Sequence, residues 1–275
     1  AYTGIAITVL VAVITIGGLQ SIANVASKIV PFMAMLYLIT TVAILIIFAD
    51  QLPSAFASVI DGAFTGTAAT GGFLGATVMM AMRNGVARGV FSNESGLGSA
   101  PIVAAAAKTK WPAEQGLVSM TGTFIDTIII CTLTGLTLVV TGVWKGDLNG
   151  AAMTEQAFSM GLPAFGSMLL LVGLVLFAFT TILGWNYYGE RCMEYLFNSN
   201  MKVVMVYRYL YILAVFIGPY MTVSAVWTIA DIFNGLMALP NLIALLALSG
   251  VISKDTRRYV AKYSRAKRIN KLVRA

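Results

Sequence analysis

The chain is a succession of long apolar runs separated by short polar links. Each run could cross a hydrocarbon core of about 30 Å, because a helix rises about 1.5 Å per residue. The pattern therefore predicts an all-α polytopic membrane protein with seven transmembrane helices, a bundle over residues 1–252 followed by a basic tail at 253–275. The predicted spans are residues 1–17, 30–48, 53–82, 119–144, 168–188, 209–227 and 232–252, with the first two separated by a polar link around Lys28.

Composition excludes a water-soluble domain and several kinds of enzyme. Of the 275 residues, 59% are hydrophobic and only 11% are charged, whereas soluble domains carry about 25% charged residues. The chain has no histidine, which rules out Ser-His and Cys-His catalysis and every His-ligated metal site. Ser95 lacks both a base and the Gly-x-Ser-x-Gly elbow of hydrolases. We predict that the protein is not an enzyme.

The positive charges predict how the chain is oriented. With seven alternating spans, every lysine and arginine except Lys145 falls on one face, which the positive-inside rule makes cytoplasmic. The sequence thus predicts a multi-pass protein of the cell membrane with a cytoplasmic C-terminus. Residues 253–275 hold nine of the 18 basic residues beside a single acid, Asp255. We interpret this tail as a flank near anionic lipid headgroups rather than as a nucleic-acid site.

The third predicted span has an abnormal composition. Residues 53–82 would form a helix of about 45 Å, and five glycines lie between positions 62 and 75. Each glycine costs about 1 kcal/mol in a helix interior, so residues 71–75 are the expected break. Transporters use such breaks to aim backbone groups at a substrate or an ion. The same glycines also fit the small-residue spacing of tightly packed helices, and both readings remain open here.

Motifs along the chain resemble those of a known family. Residues 85–110, by themselves, are typical of a folded cytoplasmic loop, and they contain Arg-Gly at 88–89 and Asn-Glu-Ser-Gly-Leu-Gly-Ser-Ala-Pro at 93–101. Together with residues 119–124, 183–190 and 240–242, this stretch resembles the alanine/glycine:cation symporter family. The resemblance runs from residue 1 to about residue 255.

The resemblance carries expectations about fold and activity. It implies a leucine-transporter-like fold of two inverted repeats, with the seven spans as the last two helices of the first repeat and the whole second repeat. The expected partners are the lipid bilayer and the missing N-terminal helices of the same transporter. The implied activity is sodium-coupled symport of alanine or glycine by alternating access, with no cofactor besides the coupling ion. The alternative is a channel or pore-forming membrane subunit.

The resemblance also implies site residues, each with a structural alternative. The substrate would contact Gly72, Phe73 and Gly75 at the break in the third span and Thr181 and Trp185 in the fifth. Thr180 and Thr181 would contribute hydroxyl oxygens to a partial sodium site, since hard cations take oxygen ligands. The alternatives are a packed phenylalanine, threonines bonded to their own helix, and a tryptophan of the interfacial belt.

Three acidic residues complete the candidates. Asp126 lies within the fourth span among Thr121, Thr123 and Thr127. A carboxylate at membrane depth is a functional candidate, although the neighbouring hydroxyls also permit a purely structural aspartate. Asp61 and Glu190 are expected near the interfaces, where they would tune gating.

Overall fold

The computed structural model describes residues 2–64 and 74–273, and this part of the chain is helical without any β-strand. Its α-helices are α1 (Tyr2–Ile16), α2 (Gly18–Ile47), α3 (Leu52–Phe64), α4 (Leu74–Asn93), α5 (Ala100–Ala104), α6 (Pro112–Thr123), α7 (Thr132–Val140), α8 (Ala151–Gly161), α9 (Gly166–Leu196), α10 (Met201–Ile217) and α11 (Val223–Val273). A π-helical segment, Phe124–Cys131, joins α6 to α7. The all-helical class predicted from the apolar runs is confirmed.

Five helical segments among the described residues are long and apolar enough to cross a membrane. They are Ser21–Ile47, Pro112–Val140, Gly166–Leu196, Met201–Tyr220 and Val223–Tyr263. They correspond to the second, fourth, fifth, sixth and seventh predicted spans. The first predicted span is the shorter apolar helix α1, and the third falls on α3, α4 and residues outside the described ranges. A chain with several spans is therefore confirmed, whereas the count of seven is not.

Two predicted links are wrong, because polar residues alone do not end a helix. Lys28 lies inside α2, and the chain breaks instead at Gly17. Residues 228–231 lie inside α11, and the break comes at the turn Gly218–Tyr220. Lysine and threonine are tolerated in helices at a small fraction of the cost of proline. Glycine lies at both observed breaks, and proline follows it at the second.

The predicted cytoplasmic loop at 85–110 begins later than expected. Helix α4 continues eleven residues past the predicted end of the third span at residue 82, to Asn93. Arg88 on α4 forms an ion pair with Asp231 on α11 and stacks 4.3 Å from the ring centroid of Trp227. The two ion-paired residues must lie at one level, whereas the predicted topology put Arg88 on the cytoplasmic face and residue 231 in an outer link. That part of the predicted topology is wrong.

The chain divides into two compact units, of which the first comprises Ala1–Met82 and Ile129–Thr222. Its interior contains three apolar clusters built mainly from α1, α2, α7, α8 and α9. Their buried members are Val11, Ile22, Phe179 and Leu183; Tyr37, Ile44, Phe158 and Leu170; and Leu45, Ala55, Leu136 and Val140. Helix α2 contributes to all three of these clusters and α9 to two, so the two helices together form the centre of this unit.

The second unit comprises Arg83–Ile128 and Val223–Ala275. Its longest element is α11, whose 51 residues correspond to about 76 Å of helix. The helix continues to Val273, so the boundary predicted at residue 253 lies within a continuous helix. Near its C-terminal end, Tyr259 and Lys262 both contact the ring of Trp111, which precedes α6.

The turn between α4 and α5 has a left-handed backbone at three positions. Glu94, Gly96 and Gly98 have φ angles of 55°, 88° and 85°, a region that glycine adopts without strain. A Cβ atom on Gly98 would lie 3.2–3.3 Å from side-chain atoms of Asn241 on α11. Leu97, between the two glycines, is only 3% exposed. The glycines therefore allow this turn to pack closely on α11.

We expect Gly98→Ala to destabilise the protein by about 1–3 kcal/mol, because alanine is strained at positive φ and its methyl group would crowd Asn241. The matched control is Gly116→Ala in α6, where a Cβ atom meets nothing within 4 Å and alanine favours the helix. Thermal unfolding in detergent should show a lower midpoint for the first variant only. Equal midpoints would show that the turn tolerates a side chain.

Candidate functional site

The residues predicted to bind substrate are distributed over two helices and a segment outside the described ranges. Gly72 and Phe73 lie outside the described residues, and Gly75 belongs to the first turn of α4. Thr181 and Trp185 lie one turn apart on α9, as their spacing predicts. The break predicted at residues 71–75 and its role therefore stay predictions.

Helix α9 has a buried face and an open face. Phe179 and Leu183 are buried in an apolar cluster with residues of α1 and α2. Thr181, between them in sequence, is exposed, and Trp185 is half-buried. The indole ring of Trp185 meets the ring of Tyr188 edge-on, with 5.5 Å between their centroids. The buried face holds the helix in place while the other face leaves a hydroxyl and an indole accessible.

Thr180 bonds to its own helix, as the structural alternative expects. Its hydroxyl lies 2.9 Å from the carbonyl oxygen of Leu176 and 3.1 Å from that of Phe177, and it also approaches the sulfur of Met33. Donating one proton leaves the lone pairs of the threonine oxygen available. This geometry is compatible with a cation ligand and does not require one.

Glu190 is buried within the protein. Its side chain is 1% exposed and forms a two-pronged ion pair with Arg208 of α10, while its expected position near a membrane interface stays a prediction. Both oxygen–nitrogen distances are 2.8 Å, and Asn186 donates a further hydrogen bond of 2.8 Å to the same carboxylate. Glu190 and Arg208 flank the fifth and sixth predicted spans, and these two opposite charges beside apolar runs were the available signal.

Asp126 lies in the π-helical segment and is half-buried. Ser92 of α4 donates a hydrogen bond of 2.7 Å to one of its carboxylate oxygens, and the hydroxyl of Thr127 approaches the same oxygen at 3.5 Å. Of the predicted hydroxyl partners, only Thr127 is among these contacts. Ser92 was missed because it is 34 residues away in sequence. π-Helical turns are frequent at functional sites, so Asp126 remains a candidate.

The comparison with known families decides the class. A family model described as the sodium:alanine symporter family matches residues 1–272, nearly the whole chain. The chain belongs to the sodium:alanine symporter family. The resemblance inferred from the motifs is thereby confirmed, and the protein is placed among membrane transporters rather than enzymes.

Relatives in this family are similar along the same stretch. An uncharacterized transporter of Haemophilus influenzae is 53% identical over 259 residues, covering 94% of this chain and 56% of that protein. The sodium/alanine symporter AgcS of Methanococcus maripaludis is 45% identical over 261 residues, with the same two coverages. The probable sodium/glutamine symporter GlnT of Bacillus subtilis is 38% identical over 249 residues, covering 90% of this chain and 51% of that protein. The chain spans about half the length of the curated relatives that it matches.

Within this family member, Asp126→Asn tests whether the carboxylate is structural. The asparagine oxygen can still accept the hydrogen bond from Ser92, so we expect the free energy of unfolding to change by less than about 1 kcal/mol. Asp126→Leu removes the acceptor of the exposed Ser92 hydroxyl and should cost about 0.5–1.5 kcal/mol. Thermal midpoints of both variants provide the measurement. A large loss of stability for the asparagine variant would show that the negative charge itself is required.

Proposed function

We propose that the chain is part of a sodium-coupled symporter for small neutral amino acids, with alanine or glycine as substrate. The family membership supports sodium as the coupling ion, and the similarity to AgcS supports alanine. GlnT, which is named as a probable sodium/glutamine symporter, is less similar to the chain, at 38% identity. The proposed mechanism is alternating access in a leucine-transporter-like arrangement of helices.

The open face of α9 is the observation that carries the proposal. Residues 180–185 contain two threonines and a tryptophan but no charged side chain. A zwitterionic substrate with a small neutral side chain requires polar contacts for its charged ends and apolar surface for the rest. Thr181 and Trp185 offer one of each on the face that the core leaves accessible.

The remaining site residues are proposed on sequence alone. Gly72, Phe73 and Gly75 would cover the substrate from a broken helix, where free backbone groups bind charged ends. Thr180 and Thr181 would supply oxygen ligands to sodium. We further propose that the C-terminus is cytoplasmic, in line with the concentration of basic residues there.

The decisive experiment measures alanine uptake into liposomes reconstituted with the protein that carries this chain. An inward sodium gradient should drive saturable uptake above the equilibrium level, and replacing sodium with potassium should abolish the accumulation. Excess unlabelled glycine should compete if the two substrates share a site. Uptake that never exceeds equilibrium and ignores the sodium gradient would indicate a channel and contradict symport.

Trp185→Ala should raise the half-saturating alanine concentration by about tenfold or more, which corresponds to about 1.4 kcal/mol of lost binding. The matched control is Trp144→Ala, which removes another partly exposed indole from the same unit but from the short turn after α7. Uptake kinetics and thermal midpoints should be measured for both variants. If both variants change the half-saturating alanine concentration equally, Trp185 has no specific contact with the substrate.

Thr181→Val replaces an exposed hydroxyl with a methyl group of similar shape. If the oxygen binds sodium, the half-saturating sodium concentration should rise by roughly tenfold, since a hydrogen-bond-strength contact to a charge is worth about 1.5–3 kcal/mol. The control is Thr8→Val in α1, whose hydroxyl bonds to the carbonyl oxygen of Gly4. An unchanged sodium dependence in the Thr181 variant would remove this residue from the sodium site.

A further inference from the structure

A polar cluster buried between α9 and α10 has no role in the function proposed so far. Arg208 donates from Nε and one terminal nitrogen to the two carboxylate oxygens of Glu190, at 2.8 Å each. Asn186, one helical turn before Glu190, donates to the same carboxylate at 2.8 Å. The side chains of Glu190 and Arg208 are 1% and 12% exposed. The carboxylate therefore receives three hydrogen bonds away from water.

Stability alone does not account for this cluster. Taking two charges out of water cancels most of their attraction, so an apolar pair of similar volume is often equally or more stabilising. The network is also incomplete, because within the described structure the Oδ1 atom of Asn186 is buried without a hydrogen-bond partner. A partly satisfied polar network is less favourable than an apolar core. The cluster provides a defined geometry instead, since a bidentate arginine–carboxylate pair fixes both distance and orientation.

Two further residues of α10 contact the same part of α9. The hydroxyl of Tyr211 donates to the main-chain carbonyl of Ile182 at 2.7 Å. The hydroxyl of Tyr207 occupies the space beside Gly189 where a Cβ atom would lie. Ile182 and Glu190 are eight residues apart, or about 12 Å along the helix. The contacts from α10 therefore bracket Trp185 on both sides along α9.

We propose that Glu190, Arg208 and Asn186 are positioning residues for transport, an inference that rests on the function proposed above. By fixing the rotation and height of α9 against α10, they hold Thr181 and Trp185 in the orientation that binds sodium and the amino acid. The residues act through the helix and do not themselves touch the substrate. Their effect should therefore appear in binding while the fold remains intact.

The test replaces the charged pair by apolar side chains of similar volume, in the double variant E190L/R208M. We expect a thermal midpoint no more than about 10 °C below that of the unmodified protein, because the buried Asn186 loses its acceptor. The half-saturating alanine concentration should rise roughly ten- to a hundredfold, since misplacement by about 1 Å can weaken a site that much. R208K, which keeps the charge but loses the bidentate geometry, should give an intermediate shift.

Two companion variants make the result independent of how well the double variant folds. Y211F removes the hydroxyl that donates to the main-chain carbonyl of Ile182. This variant should raise the half-saturating alanine concentration a few-fold without a measurable change in the thermal midpoint. E194Q is the control, because it breaks the more exposed ion pair between Arg191 and Glu194 on the same helix. The half-saturating alanine concentration of this control should equal that of the unmodified protein.

The outcomes separate this inference from the proposed function. One outcome is that the unmodified protein shows sodium-driven uptake while E190L/R208M and Y211F have the same half-saturating alanine concentration as that protein. In that case the three residues of the cluster are not positioning residues. If the half-saturating alanine concentration of E190L/R208M rises but returns to the value of the unmodified protein when uptake is measured at a lower temperature, where the variant is fully folded, the cluster is only structural and the inference is again wrong. If the unmodified protein shows no sodium-dependent uptake, the proposed function fails first, and the inference fails with it.

Discussion

The hydrocarbon surroundings of apolar helices require every buried polar group to find its partner within the protein. Water is absent there, so an unpaired hydroxyl or charge carries its full desolvation penalty. The threonines of α2 and α7 meet this requirement locally: Thr41 and Thr137 donate to carbonyl oxygens one turn earlier at 2.8 Å. Charges cannot be satisfied this way, and Glu190 instead requires a base from a neighbouring helix. That requirement fixes how α10 packs on α9.

The apolar pattern predicts helices well and their ends less well. The span predicted at 168–188 lies inside α9, which continues to Leu196 through Glu190 and Arg191. A helix can continue from an apolar run into charged residues, so the end of the run does not mark the end of the helix. Lys28 was misjudged for a related reason, since one lysine in a helical sequence is a weak interruption. Glycine lies at the breaks at residues 17 and 218, whereas Pro31 and Pro240 lie inside α2 and α11, so proline alone does not mark a boundary either.

The sequence identified the types of functional residue but not their partners. Asp126 and Glu190 were both recognisable as acids in apolar runs, whereas Ser92 lies 34 residues from the first and Arg208 lies 18 from the second. Spacing along one helix predicts which side chains share a face. It carries no information on the rotation and height at which two helices pack, and those decide every contact between them. Residue types on α9 could therefore be predicted, and the cluster between α9 and α10 could not.

The burial of an ion pair also decides which contacts can open during a conformational change. Separating Glu190 from Arg208 would leave an uncompensated charge in an apolar interior, at a cost of about 3–5 kcal/mol. Arg88 and Asp231, with side chains 39% and 51% exposed, belong to the class of pairs worth at most about 1 kcal/mol. The ion pair between α4 and α11 can therefore break at little cost, whereas the pair between α9 and α10 is costly to separate. A conformational change of the chain would therefore separate Arg88 from Asp231 more easily than Glu190 from Arg208.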